Sequence, residues 1–358
     1  MHILIIIFTA AFFLRGSSAP KQDNPKVKNI ILMIGDGMGV SQIYAAYTVN
    51  KGILNLEQSA YIGFSKTNSA DHYITDSGAG GTAISTGVKT NNYSVGVDMH
   101  GTPKKTILEM AEIYGLSTGL VATSPITHAT PASFIAHQKS RDENLLIAKD
   151  FIHSGIDIFI GGGRAYFENR DNGVSTSDLL RRSGYTIVYE LKEIQANDPN
   201  NIGCLVADTS LPKLSEGRGN YLAQATRIAL SRLSRNPKGF FIMIEGSQID
   251  WGGHDNDIDY VVSEMIDFDE AIGEAFRFAD ENPGTLVIVT ADHETGGLSI
   301  IDGNIAMGQI KTHFSTTDHT AVMVPVFSYG TGAEEFAGIY ENTEIYNKMM
   351  KLFGFKKY

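Results

Sequence analysis

The chain has 358 residues, which on the usual length prior is one large domain or two small ones. With 42% hydrophobic and 19% charged residues it has ample material for a core and little for disorder, so collagen-like, mucin-like and coiled-coil architectures are excluded. Its 29 basic and 40 acidic residues leave a formal net charge of −11, which argues against nucleic acid or an anionic membrane as partner. Small phosphate esters stay open, because cations or one arginine can meet their charge inside a site.

The apolar run Ile3 to Leu14 is too short for a membrane span, which needs about 20 residues. It is followed by Arg15 and the small residues Gly16-Ser17-Ser18-Ala19, the pattern of a secretory leader over residues 1–19. A buried N-terminal strand is the alternative. The expectation is an exported protein, periplasmic or extracellular, without a stable membrane anchor, carrying one catalytic domain over residues 20–358.

Further along, short Ile- and Val-rich runs alternate with stretches of helical period. The runs are 29–34, 119–122, 156–160, 202–206, 240–244, 286–289 and 321–327; the helical patterns lie near 40–51, 106–114, 143–154, 220–234 and 260–280. Continuously apolar strands separated by helices predict an α/β fold with a largely parallel central sheet and helices on both faces. Segment 164–200 is more polar and fits the alternation least. His137 falls on a predicted helix beyond His128 and reads as a packing residue.

Ligands of such sheets bind beyond the carboxyl ends of the strands, so the residues just after each run are the informative ones. They are Asp36 after the first run, His128 and Thr130 after the second, Glu245, Asp250 and His254 after the fifth, and Asp292-His293 after the sixth. A lone aspartate there is ordinarily a turn or capping residue. Several acids and imidazoles at one sheet edge form instead a ligand set suited to zinc and related ions. Asp250 and His254 are spaced i, i+4, so one helical turn aims both at one point, and His319 can supply a third ligand. Asp36, Thr130 and Glu245 offer only oxygen, which suits a harder ion such as magnesium. Cys204 is the one cysteine, so neither an intramolecular disulfide nor a thiolate cluster is available.

The segment Thr75-Asp76-Ser77-Gly78-Ala79-Gly80-Gly81 sets a serine before very small residues. A helix beginning there would aim its N–H groups at a bound anion. Ser77 then reads either as a nucleophile or as an ordinary N-cap. No GxSxG elbow surrounds it, and no Walker A or GxGxxG motif occurs.

Together the motifs resemble the alkaline phosphatases, in family order: Ile34-Gly35-Asp36-Gly37-Met38-Gly39, Thr75-Asp76-Ser77, Ser85 to Thr90, Ala129-Thr130-Pro131-Ala132, Glu245-Gly246 with Asp250 and His254, Asp292 to Gly297, and His319-Thr320. The resemblance implies hydrolysis of phosphate monoesters, of broad range, through phosphoserine on Ser77. It implies two Zn²⁺ and one Mg²⁺ per subunit: one zinc on Asp250, His254 and His319, a second on Asp36, Asp292 and His293, and magnesium on Asp36, Thr130 and Glu245. Arg141 matches the arginine that grips phosphate with its planar guanidinium, and a homodimer is expected. His128 and Trp251 stand where well-known bacterial members carry an aspartate and a lysine, which bears on magnesium and phosphate affinity. A diesterase, mutase or sulfatase of the same superfamily, or a metal-dependent phosphate-binding protein, would be the competing readings.

Overall fold

Alternate side chains of one strand feed two separate cores. In Asn29–Gly35, Ile30, Leu32 and Ile34 join the core on one face of the sheet, while Ile31 and Met33 join the other. A strand covered on both faces has no polar side, hence the unbroken apolar run. The structure, a computed structural model, describes residues 26–195 and 200–356, so the expected leader at 1–19 lies outside the described residues.

Ten strands form the main sheet, in the order Gly338–Glu341, Tyr61–Lys66, Val324–Gly330, Thr285–Thr290, Asn29–Gly35, Phe240–Gly246, Ser117–Pro125, Ile158–Gly162, Asn201–Leu205 and Tyr185–Val188. Val324–Gly330 runs antiparallel to both its neighbours, and every other pair is parallel. Helices Ile107–Tyr114, Asn144–Asp150 and Thr343–Phe353 bury Ile107, Met110, Ile147, Ile345 and Met349 against one face. Helices Tyr221–Leu233 and Ile258–Glu281 bury Leu222, Ala225, Val261, Met265, Phe268 and Ile272 against the other.

The sequence pattern misses the edge strand Gly338–Glu341 and its inner neighbour Tyr61–Lys66, whose exposed residues break up any apolar run. The run expected at 321–327 begins as a strand only at Val324, because Val322 and Met323 are exposed. Segment 164–200 holds two short helices, Arg164–Glu168 and Thr176–Arg182, and the sheet-edge strand Tyr185–Val188. His137 is corrected: the helix after His128 ends at Ala132, and His137 lies in a loop where its Nδ1 meets the Gly96 carbonyl at 2.6 Å and its Nε2 meets Glu109 at 3.3 Å. It is held by polar contacts, as a partly buried imidazole must be.

The long helix Ile258–Glu281 also backs the short helix Gln248–His254. A Cβ on Gly252 would stand 2.7 Å from the backbone nitrogen of Val261, so only glycine permits that approach. The loop before Tyr221 is fastened to the long helix by a buried ion cluster, in which Arg218 reaches both Glu264 and Asp267.

Candidate active site

Four adjacent parallel strands end in a row, and each delivers a donor to the same hollow. Asp36 follows Asn29–Gly35, Asp292 and His293 follow Thr285–Thr290, Glu245 lies at the end of Phe240–Gly246, and His128 and Thr130 follow Ser117–Pro125. Register fixes their heights: Ile34 is level with Thr290 and with Glu245. The turn after Asp36 needs glycine, since Gly37 has φ +72° and its Cβ would lie 2.8 Å from the Asp250 Cα. His319 arrives by pairing with Thr295 in a two-stranded ladder just past His293.

Among the described residues three groups of ligand atoms result, each within 4.8 Å of one another: Asp250, His254 and His319; Asp36, Asp292 and His293; and Asp36, His128 and Glu245. Asp36 belongs to two of them. In the first group, His254 Nδ1 and His319 Nδ1 face the carbonyls of Thr317 (2.7 Å) and Thr75 (2.9 Å). A carbonyl only accepts, so both Nδ1 atoms carry hydrogen and both Nε2 atoms carry the lone pair. Those Nε2 atoms are 3.1 Å apart, and Asp250 closes the triangle at 3.3 and 3.5 Å. Two lone pairs at that distance repel unless a proton or a cation lies between them. His293 repeats the logic: Thr295 gives its hydroxyl hydrogen to Asp250 and faces His293 Nδ1 at 3.3 Å, turning Nε2 toward Asp36 (3.4 Å), Asp292 (3.3 Å) and Ser77 (3.2 Å).

Buried polar atoms ordinarily find a partner. Here both carboxylate oxygens of Asp36, Asp292 Oδ2, Glu245 Oε1, Thr130 Oγ1 and His128 Nδ1 are buried without a hydrogen bond. Burial, followed by the charge of Asp292, raises the Asp36 carboxyl well above its ordinary value. Burial likewise pushes Glu245 up to about 7, and burial with the Asp250 charge pushes Asp292 up to about 6. Asp250 goes the other way: the His254 hydrogen bond and three imidazoles outweigh its burial and hold it well below the carboxylate range. Buried negative charge in the hollow therefore exceeds the positive charge that Arg141 and the imidazoles bring to it. Carboxylates with imidazoles fit divalent ions of the zinc kind, and the more oxygen-rich third group, with Thr130 beside it, fits a harder one. That third group differs from the all-oxygen expectation, since His128 brings a nitrogen to it.

Ser77 opens the helix Ser77–Thr86, and the cap is Asp76, whose carboxylate accepts from the Ala79 N–H at 2.9 Å. The N-cap reading of Ser77 is thus corrected; its hydroxyl is free to face the metal ligands at the positive end of the helix. Small residues allow this, because a Cβ on Gly81 would stand 2.3 Å from Ser133 Oγ. Arg141 joins from a loop, with Nη1 on Asp76 Oδ2 at 2.8 Å and Nη2 on His128 Nε2 at 3.2 Å. Burial and the Arg141 charge lower His128 to about 3, so the ring is neutral. Trp251 meets that ring edge-on, with centroids 6.1 Å apart. Every site residue expected from sequence is therefore in or beside one hollow. Asp76, Thr295 and the hydroxyls of Ser124 and Ser247, which hold Glu245 at 3.2 and 2.7 Å, were not singled out. A cap position directly before Ser77 was the signal available for Asp76.

The family model described as alkaline phosphatase matches residues 27–312. This chain belongs to the alkaline phosphatase family. It is 34% identical to alkaline phosphatase 4 of Bacillus subtilis (strain 168), over 94% of this chain and 91% of that protein. It is 32% identical to alkaline phosphatase of Escherichia coli (strain K12), over 93% of this chain and 87% of that one. Among solved structures, the alkaline phosphatase of the Antarctic bacterium TAB5 superposes with a TM-score of 0.88 at 43% identity, covering 93% of this chain and all of that one. The chain is a phosphatase acting on phosphate monoesters, and as an alkaline phosphatase it depends on metal.

The raised groups fix a pH dependence for protein stripped by a chelator. Hydrogen bonding to Asp250 raises His254 to about 9 against an ordinary 6.5, and Glu245 stands at about 7. Between those limits the folded chain holds more protons than the unfolded chain, so stability falls as pH rises. We expect the melting temperature of stripped protein to fall by several degrees from about pH 6.5 to about 9, and stoichiometric zinc and magnesium to flatten the profile. A calorimetric profile that rises over that window would contradict the charge assignment.

Proposed function

We propose that this alkaline phosphatase is exported behind a leader at residues 1–19, with residues 20–358 as one catalytic domain, and that it cleaves a broad range of phosphate monoesters through phosphoserine on Ser77. Among the described residues, no helix is long and apolar enough to cross a membrane. The observation that carries the catalytic reading is the Ser77 hydroxyl, 3.2 Å from a bare imidazole nitrogen of one candidate metal group, with Arg141 held beside it by Asp76. Asp250, His254 and His319 would hold one zinc, Asp36, Asp292 and His293 a second, and Asp36, Thr130 and Glu245 a magnesium. Bound there, such ions lower the pKa of a hydroxyl and stabilise charge on the attacking and departing oxygens.

The chain's own residues do the rest. Arg141 grips two phosphate oxygens and turns the phosphorus toward Ser77. Ser77 Oγ attacks, the bond from phosphorus to the ester oxygen breaks, and the alcohol leaves with its electron pair and takes up a proton. Water then attacks the phosphoserine phosphorus, the bond to Oγ breaks, and Ser77 recovers its proton as inorganic phosphate forms. Trp251, in place of a lysine, leaves Arg141 as the main cationic side chain on phosphate and so favours fast product release. A homodimer is the proposed assembly, supported by exposed Val40, Tyr44, Val322 and Met323.

Ser77→Ala should lower turnover of nitrophenyl phosphate by on the order of 10⁴-fold or more while zinc content, by elemental analysis, stays at the parent level. Substantial turnover with Ser77 gone would overturn the covalent route, and faster turnover of a diester or sulfate than of the monoester would overturn the substrate class.

The third group bears on metal choice. Arg141 always donates, so it takes the one lone pair of the neutral His128 ring and leaves that ring a poor ligand. A solved variant of the TAB5 enzyme, with a histidine changed to aspartate, carries magnesium in its M3 site. We expect His128→Asp to lower the magnesium concentration for half-maximal activity by about tenfold, one added charged ligand being worth about 1.4 kcal/mol or more. An unchanged magnesium titration would contradict this.

A further inference from the structure

Residues 92–95 belong to none of the candidate metal groups, yet they hold both halves of the phosphate grip. Asn92 Oδ1 accepts the backbone N–H of Asp76 at 3.1 Å, and Asn92 Nδ2 donates to the Ile74 carbonyl at 3.0 Å. The Asn92 N–H is itself anchored on Asp71 at 3.0 Å. The next residue, Tyr93, gives its carbonyl to the Arg141 N–H at 2.6 Å. Two residues later, Val95 pairs with Gln138 through hydrogen bonds of 3.0 Å in both directions. One short strap thus fixes the backbone of Asp76, next to Ser77, and the backbone of Arg141, while the side chains of Asp76 and Arg141 meet at 2.8 Å.

Tyr93 shows that the strap is forced into place. Its φ is +68°, a left-handed conformation that a bulky side chain adopts only where its surroundings dictate it. The turn delivers the Asn92 side chain to one loop and the Tyr93 carbonyl to the other. We infer that Asn92 is a positioning residue for phosphate binding, setting where the Ser77 loop stands relative to Arg141. The inference rests on reading Ser77 as nucleophile and Arg141 as phosphate grip. Without the Asn92 side chain the Asp76 N–H loses its acceptor, and the Asp76–Arg141 pair is no longer held to one separation. Asn92 lies at a partly exposed surface, so water can take over its hydrogen bonds and the fold itself does not depend on it.

The experiment is a double-mutant cycle on the full-length, metal-loaded enzyme, reading the competitive inhibition constant of inorganic phosphate. Asn92→Ala should weaken phosphate by about tenfold, the scale of one lost hydrogen bond in a coupled site. In an Arg141→Ala background, Asn92→Ala should change phosphate affinity by less than about twofold, because the group it positions is gone. Additive effects, or unchanged phosphate affinity in Asn92→Ala, would overturn the positioning role. A collapse of the Asn92→Ala melting temperature would overturn it too, by making Asn92 a determinant of the fold. Arg141→Ala with parent affinity for phosphate would instead refute the underlying reading of the grip.

Discussion

At the carboxyl ends of four neighbouring strands, Asp36, Glu245 and Asp292 are fully buried together with Asp250 from the adjoining helix, and most of their outward oxygens meet no hydrogen. Like charges so placed repel, and burial removes the water that would screen them. The neighbouring imidazoles relieve this at Asp250 but leave Asp36, Glu245 and Asp292 raised by burial and by one another's charge, with three of the rings turned Nε2 inward by their Nδ1 contacts. Cations reconcile the arrangement. Much of the surrounding structure exists to hold these groups against their own repulsion: a glycine turn after Asp36, a two-residue ladder for His319, serine hydroxyls on Glu245.

The scaffold can sustain that cost because the sheet beneath is covered twice. Side chains alternate between two apolar cores along each central strand, so the strand ends cannot drift apart without opening both. Cys204 is buried and unpaired, and no covalent crosslink shares the task. Folding and metal binding are then linked, as in other sites whose ligands come from distant parts of a chain. The acidic net charge takes a different meaning in this light. Several of its acids are turned inward, where bound cations would present an anionic ester with a positive field that the surface lacks.

The central strands and the donors at their ends were legible in the sequence, because a doubly covered strand must be apolar throughout and metal chemistry admits few residue types. Tyr61–Lys66 and Gly338–Glu341 were harder, since strands with exposed side chains lose the apolar signature. The sequence pattern carries a helix on to His137, yet that helix stops at Ala132; a short helical turn is too brief for periodicity to bound its end. The supporting residues were the least legible. Asp76, Thr295 and Asn92 each act through two side-chain hydrogen bonds, to groups 2 to 65 residues away, and such residues are common in any loop. The entry of His128 into the third group depends on where the Ser117–Pro125 strand releases its loop, which spacing does not specify.

Asp36 ties the centre together, since the same carboxylate serves two of the three groups found among the described residues. Counting divalent ions per chain by native mass spectrometry, for the parent, Asp36→Asn and Asp250→Asn, addresses it directly. We expect three ions in the parent, two missing in Asp36→Asn and one missing in Asp250→Asn. Equal losses in the two variants, or full occupancy in Asp36→Asn, would contradict the shared-carboxylate centre.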